Sequence, residues 1–420
     1  MDDKARPTVC VVGLGYIGLP TASTLATKGF SVHGVDVNDQ IVTNLNEGKV
    51  LIYEPSLDIV VKSAVNSGNL RASTRPDSSD VFILAVPTPF KEGNAADLSF
   101  VEDAAENIAP LLEAGNLVIL ESTSPVGATE HVADIIRQAR PDLTVSRRSN
   151  GVAARAESPV YVAHCPERVL PGDILREIVD NDRIVGGIDA QSTDAAVEFY
   201  SRFVSGELLA TDSRTAELAK LVENAYRDIN IAFANELSLI SDRAGINVWD
   251  LIRLANHHPR VNIHHPGPGV GGHCIAIDPW FIVADYPDLA RLVKTAREIN
   301  DGKPHYVVNR VMEKTQRLRA PVVACLGLSY KPDIDDLRES PALEVVQHLV
   351  SKVEGKVFLV EPNISSLPED LNGEVTLVEL DEALDEADIV VVLVAHREFR
   401  ALNQSALKDR ILLDFVNALG

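Results

Sequence analysis

The chain has 420 residues, 45% apolar and 24% charged, the composition of a folded protein of two or three domains and not of a disordered or collagen-like one. Its 39 Lys and Arg against 61 Asp and Glu leave a net charge of −22, a field that repels polyphosphate backbones, so no nucleic-acid partner is expected. No apolar run approaches the ~20 residues of a membrane helix, and the four cysteines show no C-x-x-C spacing, so a cytoplasmic protein with reduced thiols and no membrane association is expected.

In chain order, TVCVV (Thr8 to Val12) reads as a strand, GLGYIG as a glycine turn and TASTLATKGF as a helix ending at Lys28 and Gly29. SVHGVD (Ser31 to Asp36), DVFILAVP (Asp80 to Pro87) and LVILEST (Leu117 to Thr123) continue as near-continuous apolar strands with helical stretches between them. That alternation predicts a parallel sheet covered on both faces. The segment from Ser213 to Ala244 contains neither Pro nor Gly and is rich in Ala, Leu and Glu. It is expected to form one long connector helix, with Ser213 as N-cap and Gly245 as the stop. From His258 to Pro279 the chain is dense in Pro and Gly, an irregular stretch of the kind that carries function.

The last hundred residues repeat the opening pattern. VVACLGLSYKP (Val322 to Pro332) echoes VCVVGLGYIGLP, VFLVEPN (Val357 to Asn363) echoes VHGVDVN, and DIVVVLVAHREF (Asp388 to Phe399) echoes DVFILAVPTPF. The fold class is therefore α/β, with two Rossmann-like parallel-sheet domains joined by a long helical connector, divided at residues 1–210, 211–315 and 316–420.

Gly13, Gly15 and Gly18 form a G-x-G-x-x-G turn between a strand and a helix, the context in which backbone N–H groups receive a pyrophosphate. Asp36, at the end of the second strand, suits a ribose 2′-OH and would repel a 2′-phosphate, which favours NAD over NADP. Cys274 follows the glycine-rich PGPGVGG, where backbone dipoles can favour a thiolate nucleophile. Cys10 and Cys325 lie in apolar strands and read as core, and Cys165 stays open between core and site. Lys220, Asn224 and Arg227 share one face of the connector helix, as a solvated stripe or as ligand contacts. Glu167 and Arg168 are equally open on spacing alone. Lys331, Asp335 and Arg338 follow the first strand of the second sheet, the end at which such sheets bind ligands. His257, His258, His264, His265 and His273 have no carboxylate or Cys spacing that completes a zinc pattern, so no metal is expected.

With these residues in hand, the chain resembles the UDP-glucose/GDP-mannose dehydrogenase family from end to end. The resembling segments are GLGYIGLP, VDVN, VPTP, ESTSPVG, CPERVLPG, RIVGG, TAELAKLVENAYRD, FANEL, PGPGVGGHC, AIDP and SYKPDIDDLRESPA, in the family's order. HPRVNI, PGPGVGGHCIAIDPWF and YRDINIAFANELSLI most resemble the branch acting on UDP-N-acetyl-D-mannosamine, with the UDP-N-acetylglucosamine branch second.

The resemblance implies oxidation of a UDP-N-acetylhexosamine at C6 to a carboxylate in two hydride transfers, with NAD as cofactor, for surface polysaccharide. It implies that Cys274 forms a thiohemiacetal and then a thioester. Lys220 is implied in proton transfer or oxyanion stabilisation, with Asn224 donating to the same oxygen. Asp278 and Glu167 are implied to orient or activate water, and the base among Lys220, Glu167 and Asp278 stays open. Thr123 is implied to hold that water or touch the nicotinamide. Tyr16, Ile17, Asp36, Thr88 and Arg338 join the three glycines on the cofactor side. Arg168, Val169, Arg227, His258, Arg260, Gly271 and Lys331 join Lys220 and Asn224 on the sugar-nucleotide side. The resemblance assigns NAD to the first domain, the Cys loop and a homodimer contact to the connector, and the UDP-sugar to the last domain.

Two departures stand out. The family's UDP-glucose enzymes place a second glutamate four residues after the Glu167 position, where this chain has Pro171. The stretch from Asp142 to His164 reads as a surface insertion without a role. The rival readings are a non-catalytic sensor of NAD and nucleotide sugar, which needs none of Cys274, Lys220, Asn224 and Asp278, and a single-step β-hydroxyacid dehydrogenase, which needs no nucleophilic Cys and no second sheet.

Overall fold

Val9, Cys10 and Val11 are fully buried in strand β1 (Thr8–Val12). The computed structural model describes residues 6–52, 54–147, 158–170, 172–272, 274–368, 371, 375–403 and 407–420. Around β1 stand β2 (Ser31–Val35), β3 (Leu70–Ser73), β4 (Val81–Leu84), β5 (Leu117–Leu120), β6 (Tyr161–His164), β7 (Arg183–Gly187) and β8 (Leu208–Asp212). Their order across the sheet is β3-β2-β1-β4-β5-β6-β7-β8. The order reverses beside β1, so the crevice for a ligand opens past its C-terminal end. Apolar side chains cover both faces, with Val9, Val11 and Ile83 on one and Cys10, Phe82 and Leu84 on the other.

The parallel sheet read from the sequence is present, since β1, β2, β4 and β5 pair in parallel, and the extended sheet departs from that direction at one seam. Strands β6 and β7 pair antiparallel, through Ala163 with Gly187 and His164 with Gly186, and two residue pairs are the whole of that ladder. The insertion expected from Asp142 to His164 is corrected at its end. Its last four residues are β6, and Val145 bridges to a fully buried Val160; residues 148–157 lie outside the described set. At that end the surface reading failed because the polar residues before it hid the apolar PVYVAH.

The connector helix spans Ser213–Ala244, as its lack of Pro and Gly predicts. Ser213 is its first helical residue, and Asp212 takes the cap instead, accepting from the Thr215 N–H at 3.2 Å and the Thr215 hydroxyl at 2.6 Å. A carboxylate there also meets the positive end of the helix dipole. At the other end Gly245 turns the chain with φ +69°, and the Ile246 N–H reaches back to the Ser241 carbonyl at 2.9 Å. Near the N-terminus the helix is fastened by Glu217, fully buried, which accepts from the N–H groups of Gly127 at 2.6 Å and Thr129 at 2.8 Å. These donors open helix Ala128–Ala139, so Glu217 caps it from a distance in sequence.

The chain divides into two compact units, Met1–Val222 and Glu223–Gly420, the division falling within the connector helix. In the second unit β9 (Val322–Leu326), β10 (Lys356–Val360), β11 (Thr376–Leu377), β12 (Ile389–Val392) and β13 (Ile411–Asp414) form a parallel sheet in the order β11-β10-β9-β12-β13. Its first turn copies that of the first sheet. Gly13 and Gly327 both have φ +94°; Gly13 N–H bonds the Val35 carbonyl and Gly327 N–H the Val360 carbonyl, at 2.8 and 2.9 Å. The acid closing the second strand accepts from the turn in each, Asp36 from Leu14 N–H at 2.9 Å and Glu361 from Leu328 N–H at 2.8 Å. Among the described residues no helix is long and apolar enough to cross a membrane.

Candidate active site

In the first unit the glycine turn is shaped by exclusion. A side chain on Gly13 would collide with the Ala85 carbonyl, and one on Gly18 with the Gly13 carbonyl, whereas nothing lies within 4 Å of the position a Gly15 Cβ would take. Backbone is thus packed tightly on two sides and open on the third, the arrangement that admits a pyrophosphate at the start of helix Gly18–Thr27. Tyr16 packs on the core below and Ile17 stands at the helix N-cap. Asp36 accepts from the Asn38 N–H at 2.9 Å as well as from Leu14. Two backbone donors fix its carboxylate at the strand end, with acceptor capacity left for a hydroxyl. The residues present therefore fit a dinucleotide.

The loops after β4 and β5 are tied together at the same sheet edge. Thr88 donates its hydroxyl to the Thr123 carbonyl at 2.7 Å, and Ser122 to the Val86 carbonyl at 2.7 Å. Glu167 sits in the turn after β6. One carboxylate oxygen accepts from the N–H groups of Arg168 and Val169, at 2.7 and 3.1 Å, and the other from Arg183 at 2.9 Å. Glu167 thereby shapes the turn that carries Arg168 and Val169. Arg183 is nearly sealed from solvent, and burial works against its charge, but the groups around it, Glu167 foremost, together outweigh that desolvation and hold the guanidinium well above its ordinary value. Glu121 lies 3.6 Å from Arg183, and burial, helped by the Glu167 charge, pushes its carboxyl up to about 8. Cys165 is fully buried beside this cluster and its thiol is driven up to about 11 by burial, which makes it an inert core residue. Lys220 is half-buried on the connector helix; burial, with the Lys220 charge, lowers His164 to about 3 and keeps it neutral.

In the second unit Cys274 is the exposed cysteine, whereas Cys10, Cys165 and Cys325 are buried. Its carbonyl accepts from the N–H groups of Ile277 and Asp278 at 3.0 and 2.9 Å, so the cysteine turn runs directly into helix Asp278–Asp285. Asp278 is buried at that helix start and accepts from the Asn224 amide at 2.5 Å. The structure thus joins three of the residues singled out from sequence: Cys274 to Asp278 through backbone, and Asp278 to Asn224 through side chains. Arg227, one turn beyond Asn224, is exposed. Gly271 packs so closely that a Cβ would strike the Glu339 carbonyl and come within 2.7 Å of Pro341. The glycine loop therefore lies against the segment that follows β9.

That segment carries Lys331 and Arg338, both exposed. The Ser329 hydroxyl donates to the Lys331 carbonyl at 2.8 Å, and Arg338 is clamped on Asp336, Nε to Oδ1 at 2.9 Å and Nη2 to Oδ2 at 2.6 Å. His258 and Arg260 are exposed in a turn where the Arg260 N–H donates to His258 Nδ1 at 3.3 Å. Asn256 closes that turn on Ile263 with bonds of 3.0 and 2.7 Å. Pro171 and His273 lie outside the described residues.

Known proteins share this architecture. The UDP-glucose/GDP-mannose dehydrogenase family matches in three parts: its NAD binding domain over residues 7–204, its central domain over 214–302 and its UDP binding domain over 324–420. The chain belongs to that family.

An NDP-N-acetyl-D-galactosaminuronic acid dehydrogenase of Ralstonia nicotianae is 55% identical over 407 residues, covering 97% of this chain and 95% of the relative. The UDP-N-acetyl-D-mannosamine dehydrogenase of Campylobacter jejuni is 54% identical, covering 93% and 96%, and that of Escherichia coli 51% identical, covering 97% and 98%. Among solved structures, the UDP-N-acetyl-mannosamine dehydrogenase of Staphylococcus aureus superposes with a TM-score of 0.84 at 41% identity, covering 98% of this chain and 95% of that one. The corresponding enzyme of Pyrococcus horikoshii gives 0.87 at 36%, covering 98% and 96%. Membership makes the chain a dehydrogenase with an NAD-type cofactor and a nucleotide-sugar substrate.

Sequence reasoning missed the groups that hold this dehydrogenase's site in shape. Asp228, buried on the connector helix, accepts from Arg297 at 2.6 Å and from Asn300 at 2.8 Å. Asn300 in turn accepts from the Asn235 amide at 2.8 Å, and Asn235 accepts from the Gly267 N–H at 2.9 Å. A chain of buried polar groups therefore runs from the helix to the start of the glycine loop. The signal was present, since Asn224, Asp228 and Asn235 recur on one face of the helix.

Proposed function

We propose that the chain is an NAD-dependent UDP-N-acetyl-D-mannosamine 6-dehydrogenase, converting the C6 alcohol to the carboxylate with two NAD and one water and supplying an aminosugar acid for surface polysaccharide. The observation that carries the mechanism is Cys274, exposed at the end of the glycine loop and joined by backbone to the Asn224 and Asp278 pair. The chemistry that NAD would supply when bound is acceptance of hydride from the sugar carbon, once in each of the two oxidations. The Cys274 thiolate would add to the C6 aldehyde, giving a thiohemiacetal whose oxidation leaves a thioester, and water would displace the thiolate as the acid forms. Covalent attachment explains how the aldehyde is retained while the spent cofactor leaves.

In this reading Gly13, Gly15, Tyr16, Ile17, Gly18, Asp36, Thr88, Thr123 and Arg338 hold the cofactor, with NAD preferred to NADP through Asp36. Lys220 moves the proton of the C6 hydroxyl or steadies the oxyanion, and Asp278, oriented by Asn224, directs the hydrolytic water. Glu167, with three donors on its carboxylate, orders the Arg168 and Val169 turn. Those two residues, Arg227, His258, Arg260, Gly271 and Lys331 contact the UDP-sugar. A homodimer through the connector is supported by its exposed stripe of Leu218, Val222, Tyr226, Phe233 and Ile240, which fall on one side of a helix. The buried, unpaired thiols suit a reducing cytoplasm.

A second reading, the N-acetylgalactosamine epimer as substrate, is favoured by the relative of Ralstonia nicotianae. Purified protein with NAD and, in parallel, the UDP derivatives of N-acetylmannosamine, N-acetylgalactosamine, N-acetylglucosamine and glucose decides between them. NADH formation fastest with N-acetylmannosamine supports the proposal, a preference for another sugar moves the substrate, and silence with all four despite NAD binding favours a sensor.

A further inference from the structure

Away from the residues assigned above, two helices of the second unit bring His305, Glu344 and His348 together. His305 stands on helix Arg291–Thr315 and the other two on helix Pro341–Val350, one turn apart. His305 Nδ1 lies 3.7 Å from Glu344 Oε1 and His348 Nε2 lies 3.9 Å from the same oxygen. The imidazole rings are 4.8 Å apart between centroids, and the ligand atoms of all three residues fall within 4.8 Å of one another. Among the described residues this is the grouping of three such side chains with metal-binding spacing.

We infer that His305, Glu344 and His348 form a surface site for a divalent transition ion of the zinc class. Donor atoms in a tetrahedral zinc shell stand about 3.3 Å apart when bonds are about 2.0 Å, so small rotations of exposed side chains close the observed spacing. Two imidazoles and one carboxylate select borderline ions such as zinc over magnesium or calcium, which take all-oxygen shells. The partial exposure of the three side chains, between 38% and 61%, leaves room for water to complete the coordination. The surroundings are anionic, because Asp301 and Glu339 act on Glu344 along with the two histidines, and a cation relieves that field. Without an ion, nothing in the packing requires two exposed imidazoles on one carboxylate, since the helices already meet through Val307, Val308, Val311, Ala342, Val345 and Val346. The ion would pin helix Pro341–Val350, whose first residue backs Gly271, onto helix Arg291–Thr315. The sequence did not show this site because its third ligand lies far from the other two along the chain.

The test titrates zinc chloride into chelator-stripped, untagged full-length protein by calorimetry, and follows thermal unfolding with and without zinc. The inference expects one equivalent bound per chain, a Tm raised by zinc and not by magnesium, and affinity lowered about a hundredfold or more in both His305→Ala and His348→Gln. Both variants keep the zinc-free Tm and the NAD-linked turnover of the parent, because neither residue serves the reaction, and Cys274→Ser keeps the bound equivalent. No binding, equal stabilisation by magnesium, or unchanged affinity in the two histidine variants with loss in Cys274→Ser overturns the inference.

Discussion

Asn224 donates its side-chain amide to Asp278 at 2.5 Å, with both residues buried. The bond fixes the orientation of a carboxylate at the start of helix Asp278–Asp285, one turn beyond Cys274. If the two act as one unit, their effects will not add. Asn224→Ala and Asp278→Ala are each expected to lower kcat about 10²-fold to 10⁴-fold, and the double variant no further than the worse single one. Additive losses in steady-state turnover would show that the pair is not a unit.

Asp36 spends two interactions on the backbone of its own turn, so its removal should perturb that turn as well as cofactor choice. Asp36→Ala is expected to raise the KM for NAD about tenfold or more and to let NADP compete. An unchanged ratio of kcat/KM for the two cofactors would remove Asp36 as the ribose acceptor.

The Glu121 carboxyl is pushed up to about 8 by burial and by the Glu167 charge. Its folded value thus exceeds the ordinary carboxyl range, and above about pH 4.5 the unfolded chain holds fewer protons at this position than the folded one. Stability contributed here is complete below that pH and falls as pH rises towards about 8. Glu121→Gln keeps a neutral group in place, so urea unfolding of the variant is expected to decline less over that window. Parallel pH profiles for parent and variant would contradict the assignment.

Arg297 is 1% exposed and is held by Asp228 and Asp301. Asp228→Ala leaves a buried guanidinium short of its interior partner, at a cost of about 3–5 kcal/mol, and frees the Asn300 amide that Asp228 accepts from. Because the same polar chain reaches Gly267, turnover should fall beyond what the folded fraction explains. A change in urea stability below about 1 kcal/mol would mean that the network is not holding the core.

Much of the fold was legible because its strands are buried on both faces and so read as unbroken apolar runs. Thr8–Val12, Ser31–Val35 and Val322–Leu326 stand where the sequence puts them. Short or half-exposed strands escaped, such as Leu70–Ser73 with alternate residues buried and Leu208–Asp212 with none fully buried. Among the candidate site residues, Gly13, Gly15 and Gly18 stood out because their spacing joins a strand to a helix, and Cys274 because it follows a glycine-rich loop. Asp228, Asn235, Glu217 and Arg183 did not, since a charged or amide side chain in a helix or at a strand end is ordinarily solvated, and only tertiary packing shows these four to be buried.

The central claim is a four-electron oxidation through Cys274, and counting NADH formed per UDP-N-acetylmannosamine consumed, in parent and in Cys274→Ser, tests it most directly. The account predicts two NADH and one carboxylic acid per sugar in the parent, with acid release lowered by several orders of magnitude in the variant while NAD binding persists. One NADH per sugar with free aldehyde accumulating, or undiminished acid formation by Cys274→Ser, would contradict it.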